Sequence, residues 1–103
     1  MTEYTITLDY DYVAREFVER DRIFLMRRFK LPFEVWESSP GSYHLRCPQP
    51  VSHDVAFSVL EASFCSSDYK VLCRKRDGFP VRTSEKTIIS PQGTLVKPAP
   101  VKL

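Results

Sequence analysis

Phe33-Glu34-Val35-Trp36-Glu37-Ser38-Ser39-Pro40-Gly41-Ser42-Tyr43-His44-Leu45-Arg46-Cys47 lies near the middle of the chain and carries its clearest structural signal. Two short alternating segments flank a cluster of serine, proline and glycine, and that combination predicts a β-hairpin. Alternation assigns the faces: Phe33, Val35, Tyr43 and Leu45 to a core side, Glu34, Trp36, His44 and Arg46 to the other. A tryptophan, a histidine and an arginine on the uncovered face of a sheet are unusual. Such a face can stack bases and hold phosphate. The blander alternative, that Trp36 simply lies under a loop or under the C-terminal segment, stays open.

Upstream, residues 4–11 (Tyr4-Thr5-Ile6-Thr7-Leu8-Asp9-Tyr10-Asp11) alternate with period two, the mark of a strand covered on one face. Asp9 and Asp11 then project from the same side, where two carboxylates repel unless a cation lies between them. The competing account makes Asp11 the N-cap of the next helix. That helix is expected over 12–29, with Ala14, Phe17, Val18, Phe24, Leu25 and Phe29 as its apolar stripe, interrupted by the charged run at 19–22. Pro32 ends it, and Arg27, Arg28 and Lys30 in the last turn complement the helix dipole.

Downstream, Pro48-Gln49-Pro50 breaks the hairpin strand. A second helix is expected from Ser52, an N-cap, to about residue 64, with Val51 stapled onto Ala56. Ser52-His53-Asp54 is no catalytic triad, because consecutive helical residues point in different directions. Tyr69-Lys70-Val71-Leu72-Cys73-Arg74 reads as a fourth strand, Asp77-Gly78 as a turn, and 81–89 as an extended segment. The expected organisation is one α+β domain over 1–90 and an extended, proline-containing C-terminal tail over 91–103.

The totals bound the function classes. With 103 residues, 43% hydrophobic and 27% charged, one core is all the chain can bury, and no apolar run reaches the length of a membrane span. No membrane partner is expected. The first residues lack the pattern of a signal peptide, so a cytoplasmic setting is the expectation. Residues 1–69 carry 7 Lys and Arg against 11 Asp and Glu, whereas 70–103 carry 8 against 2. The basic C-terminal third, with Lys70, Arg74, Lys75, Arg76 and Arg82, suits a polyanion, and equally suits a solvated surface. Cys47, Cys65 and Cys73 lack the close spacing of a zinc site and are expected as buried thiols.

A β-α-β-β-α-β order with a central hairpin predicts a ferredoxin-like or RRM-like fold: a four-stranded antiparallel sheet with two helices on one face. In that topology the first and third strands form the central pair, which brings Asp9, Asp11 and His44 onto neighbouring strands.

Over residues 4–77 the chain resembles the palm of the archaeo-eukaryotic primase superfamily, in a minimal form such as an archaeal virus or plasmid would encode. Thr7-Leu8-Asp9-Tyr10-Asp11 is similar to that family's apolar strand ending in acid-x-acid. Ser42-Tyr43-His44, after Pro40-Gly41, is similar to its small-x-histidine motif, with the histidine 33 residues beyond the second acid. Asp68 and Asp77 are both candidates for the family's third acid. The turn carries one glycine where the family often has more, and the apolar residue expected before the third acid is missing. The family's polymerases are also larger than this chain.

The resemblance implies that Asp9, Asp11 and Asp68 hold Mg²⁺ or Mn²⁺, that His44 contacts the triphosphate of a nucleotide, and that Arg46 or Lys70 assists. An enzyme of this kind would carry out metal-dependent nucleotidyl or phosphoryl transfer. Two other classes fit the same residues. One is a non-catalytic module that binds DNA or RNA through Trp36, His44, Arg46 and the basic segment. The other is a structural interaction protein, a homodimer through its sheet.

Overall fold

The computed structural model describes residues 3–80, 86–97 and 99–103. Along these the chain runs β1 (Thr7–Asp11), α1 (Arg15–Phe29), β2 (Glu34–Ser39), β3 (Ser42–Arg46), α2 (His53–Ala62), α3 (Ser67–Arg76), β4 (Lys86–Ser90), β5 (Gly93–Lys97) and β6 (Val101–Lys102). The class is α+β, with an antiparallel four-stranded sheet in the order β1-β3-β2-β6 and a separate β4-β5 hairpin.

The central hairpin forms where its turn residues place it. Gly41 takes φ 83°, a conformation that costs other residues because their Cβ crowds the following carbonyl. One extra residue, Ser38, enters β2 between the Glu37↔Tyr43 and Ser39↔Ser42 pairs as a bulge. The Gly41 carbonyl accepts a hydrogen bond from the Val13 N–H at 3.3 Å, tying the turn to the segment that follows β1. A methyl group on Gly41 would meet only the Val13 carbonyl oxygen, 4.0 Å away, so dihedral strain and not space sets its cost. Gly41→Ala should therefore lower stability by about 1–2 kcal/mol, read as a shift of the urea midpoint at unchanged slope.

Side-chain alternation sorts as expected. Leu8, Tyr10, Val35, Tyr43 and Leu45 are buried together with Val18 and Leu25 of α1 and Ala56, Val59 and Leu60 of α2. Ser52 caps α2, its hydroxyl accepting from the Val55 N–H, and Val51 and Ala56 are both buried at that end. All three cysteines are free and buried.

Three expectations are corrected. Residues 69–74 are not a strand but lie within α3, whose start lies against the outer edge of β1: the Ser66 N–H donates to the Asp9 carbonyl at 2.9 Å, and the Tyr69 hydroxyl to the Thr7 carbonyl at 2.5 Å. A helix with an acid in its first turn and Arg74, Lys75 and Arg76 in its last is favoured by its own dipole, and it buries Tyr69 and Cys73 from one face. Hence β1 is an edge strand of the sheet, covered by α3, and not part of a central pair.

The second correction concerns Asp11. Tyr12 turns into the left-handed region at φ 58°, Ala14 occupies the N-cap, and α1 begins only at Arg15, so Asp11 does not cap that helix.

The third concerns the face of α1. Its buried line is Val18, Asp21, Leu25, and it runs unbroken through the charged stretch. Phe17 and Phe24, expected in the core, flank that line and stay 42% and 43% exposed. Asp21 is tolerated inside because its Oδ2 accepts the Tyr10 hydroxyl and, at 2.9 Å, the Phe64 N–H. The acid beside it, added to burial, pushes the Tyr10 phenol far above its ordinary range.

The segment expected as a tail over 91–103 supplies β5 to the separate hairpin and β6 to the sheet. β6 adds to the free edge of β2, with Trp36 opposite Lys102, Glu37 opposite Val101, and the Leu103 N–H donating to the Val35 carbonyl at 2.8 Å. Of the expected extended segment at 81–89, residues 81–85, including Arg82, lie outside the described residues, and the remainder falls in β4.

Candidate functional site

The face of the sheet turned away from α1 and α2 is built in cross-strand rows. His44 on β3 lies opposite Asp9 on β1 and opposite Trp36 on β2, and Trp36 lies opposite Lys102 on β6. In the next row Arg46 stands between Thr7 and Glu34, and on the other side Ser42 lies opposite Asp11. Period-two alternation and the pairing register alone bring Asp9, Asp11, His44, Trp36 and Arg46 to one side. Glu34 and Lys102 complete the surface, and Thr7, at the end of the row, is buried. Lys102 was invisible as a site residue because nothing local marks where a short C-terminal strand will dock.

The side chains are organised by one another. His44 Nδ1 stands 3.2 Å from Asp9 Oδ1. A carboxylate only accepts, so this contact places the ring proton on Nδ1 and turns Nε2 away from Asp9. The Ser42 hydroxyl donates to Asp11 Oδ1 at 3.1 Å, and the Asp11 N–H donates to the Ser66 hydroxyl at 3.2 Å. The Arg46 guanidinium lies 4.1 Å from the centre of the Trp36 ring, a cation–π stack. Burial lowers the basicity of Arg46, an effect that Glu34 opposes. Glu34 accepts from Lys102 Nζ at 2.9 Å and from the Trp36 indole N–H at 3.4 Å.

The Lys102 hydrogen bond is the main reason the Glu34 carboxyl is held below its ordinary value. A carboxylate with a depressed pKa in the folded state adds stability that is present above its unfolded value, about 4.3, and is lost as pH falls through the folded value. Acidification should thus loosen β6 from β2 before the rest of the sheet. Amide exchange at Leu103 should accelerate below about pH 4 relative to amides of β3 once the intrinsic rate is corrected, and Lys102→Ala should remove that pH dependence.

The other expected site residues lie elsewhere. Lys70 Nζ donates to the carbonyls of Ser63, at 2.6 Å, and Glu61, at 3.3 Å, which closes the end of α2, and Arg74 pairs with the Glu61 carboxylate. Lys75 and Arg76 are exposed in the last turn of α3. Asp68 is exposed in the first turn of α3, two residues beyond the serine that binds β1. Asp77 stands at the far end of that helix, 3.0 Å from His53 Nε2 and within 3.2 Å of the Tyr4 hydroxyl, where it ties α3 to α2 and to the chain ahead of β1.

Among the described residues no three His, Cys, Asp or Glu side chains form a group that could hold a metal. The two carboxylates of Asp9 and Asp11 on one face match a looser requirement: Mg²⁺ is commonly bound through one or two carboxylates, its remaining ligands being water and substrate phosphate. The donor set therefore suits an ion brought together with a phosphorylated ligand, and not a closed cage made by protein alone. Among the described residues no helix is long and apolar enough to cross a membrane. Comparison of the chain with protein-family models, curated proteins and solved structures finds no match.

Proposed function

We propose that this protein binds nucleotides or single-stranded nucleic acid on the sheet face that carries Asp9, Asp11, Trp36, His44 and Arg46. The observation that carries it is the single cross-strand row Asp9–His44–Trp36 with Arg46 stacked on the indole. Aromatic rings and guanidinium planes are the surfaces on which unstacked bases lie, and an imidazole and a guanidinium beside them suit phosphate. In this proposal β1-α1-β2-β3-α2 is the RRM-like part of a primase-type palm, with α3 where a ferredoxin-like sheet would carry its fourth strand. Asp9 and Asp11 would hold Mg²⁺ or Mn²⁺ with the ligand's phosphates, and the ion would neutralise their charge. Binding is the function proposed, and nucleotidyl transfer is a narrower case of it.

Trp36 is the only tryptophan, so its emission reports on this face alone. Titration with a nucleoside triphosphate and with oligo-dT and oligo-U, each with and without Mn²⁺, should quench that emission, with triphosphate binding strengthened by the ion. Asp9→Asn with Asp11→Asn should abolish the effect of Mn²⁺ and leave the circular dichroism unchanged. If neither millimolar triphosphate nor micromolar oligonucleotide changes the emission, with Mn²⁺ present, the proposal fails.

A further inference from the structure

The outward side of α1 has no role in the sheet face, and its composition is specific. Phe17, Ile23 and Phe24 are each 42–43% exposed, and Phe64, in the connector after α2, is 67% exposed. Phe17 and Phe64 meet edge to face with ring centres 6.4 Å apart. Beside them runs a cleft of about 240 Å³, lined by Phe17, Arg20, Asp21, Phe24 and Phe64. A second hollow, of about 540 Å³, adjoins it through the shared Arg20 and Phe24 and is bordered by Arg27 and Arg28. None of Arg20, Arg27 and Arg28 makes an ion pair among the described residues, in contrast to Arg22, which pairs with Glu19 at 2.9 Å. Asp21 is 4% exposed, and its Oδ1 has no hydrogen-bond partner among the described residues, although its Oδ2 has two.

We infer that this side of α1 docks an acidic peptide segment of another protein, which sets one aromatic side chain against Phe17, Phe24 and Phe64 and its carboxylates against Arg20, Arg27 and Arg28. Three features select that occupant. The apolar cleft is narrow enough for one large side chain, whereas a lipid surface needs no concavity. Aromatic walls favour an aromatic guest through edge-to-face contact. The arginine rim, without ion pairs among the described residues, supplies the charge complementarity and directs encounter.

The test is selection of a displayed library of random twelve-residue peptides against the intact protein, followed by binding of the enriched peptides as free synthetic molecules. Enriched sequences should be acidic and contain an aromatic residue. Replacement of that anchor by alanine should weaken binding about tenfold or more. In the protein, Phe24→Ala should weaken binding about tenfold or more, and Arg27→Glu with Arg28→Glu should do the same while favouring peptides whose acids are changed to lysine. These side chains are solvent-exposed, so circular dichroism should be unchanged and the emission of Trp36 should be unaffected. No enrichment, enrichment of basic or purely aliphatic peptides, or enriched peptides that bind the two variants as well as the wild type would overturn the inference. So would flotation with phosphatidylserine–phosphatidylcholine vesicles that is lost in Phe24→Ala, which would make the occupant a bilayer. Dimerisation that is lost in the same variant would make it a second copy of this chain.

Discussion

Asp21→Ala is expected to cost about 3 kcal/mol of stability. The carboxyl joins three parts of the core at once. It sits on α1 in line with Val18 and Leu25, accepts the hydroxyl of Tyr10 on β1, and accepts the backbone N–H of Phe64 after α2. Removing it strands the buried Tyr10 hydroxyl, at about 1–3 kcal/mol, deprives the half-buried Phe64 N–H of its acceptor, and leaves a space where the carboxyl stood. Tyr10→Phe removes only one partner and should cost less, about 1 kcal/mol. Urea unfolding of the two single variants and the double variant separates these terms: because the bond between the two residues is lost in every one, the double variant should be less destabilised than the sum. If Asp21→Ala is within about 0.5 kcal/mol of the wild type, the buried network does not hold the helix to the sheet.

Trp36→Ala is expected to weaken binding of oligonucleotides on the sheet face by about 1–3 kcal/mol, on the order of tenfold to a hundredfold. The indole supplies the stacking surface and also seats the Arg46 guanidinium, 4.1 Å from its centre. Its loss therefore removes one contact with the base and frees a cation that was held in place. Trp36→Phe keeps a ring and should recover most of the affinity, but gives up the indole hydrogen bond to Glu34. With the fluorophore gone, a labelled oligonucleotide and its anisotropy provide the reading. Trp36→Phe, which keeps a ring under Arg46, should retain the salt slope of the wild type, because stacking releases no counterions. Equal affinity of wild type and Trp36→Ala would remove the aromatic platform from the account.

The part of the candidate site that was legible in the sequence rests on period two. Asp9, Asp11, His44, Trp36 and Arg46 were placed on one side by alternation within three strands, and a hairpin turn between two of those strands kept the register. What escaped was any residue whose position depends on an element docking from far along the chain. Lys102 reaches Glu34 from the end of the sequence, and Ser66 and Tyr69 reach β1 from α3. Their residue types carry no mark of that destination.

Residues 69–74 show why one element was misread. Tyr69 and Cys73 are four apart, and a spacing of four keeps two side chains on one face both of a strand and of a helix. Val71 is the discriminating residue: a strand would bury it with them, and the structure leaves it 47% exposed. The acid in the first turn, the basic run in the last and Asp77-Gly78 beyond it are helix signals in the same stretch, to which a short apolar alternation is blind.

By itself, then, the sequence determined the hairpin, the two faces of its strands and the start of α2, because turn chemistry, alternation and capping act between residues close in the chain. Tertiary structure alone decided that α3 covers the edge of β1, that β6 extends the sheet beyond β2, and that Asp21 enters the core while Phe17 and Phe24 stay at the surface. Each of those outcomes depends on which hydrogen-bonding groups and apolar surface remain unsatisfied once the hairpin, β1 and the first two helices have assembled, a balance that no local stretch of residues encodes.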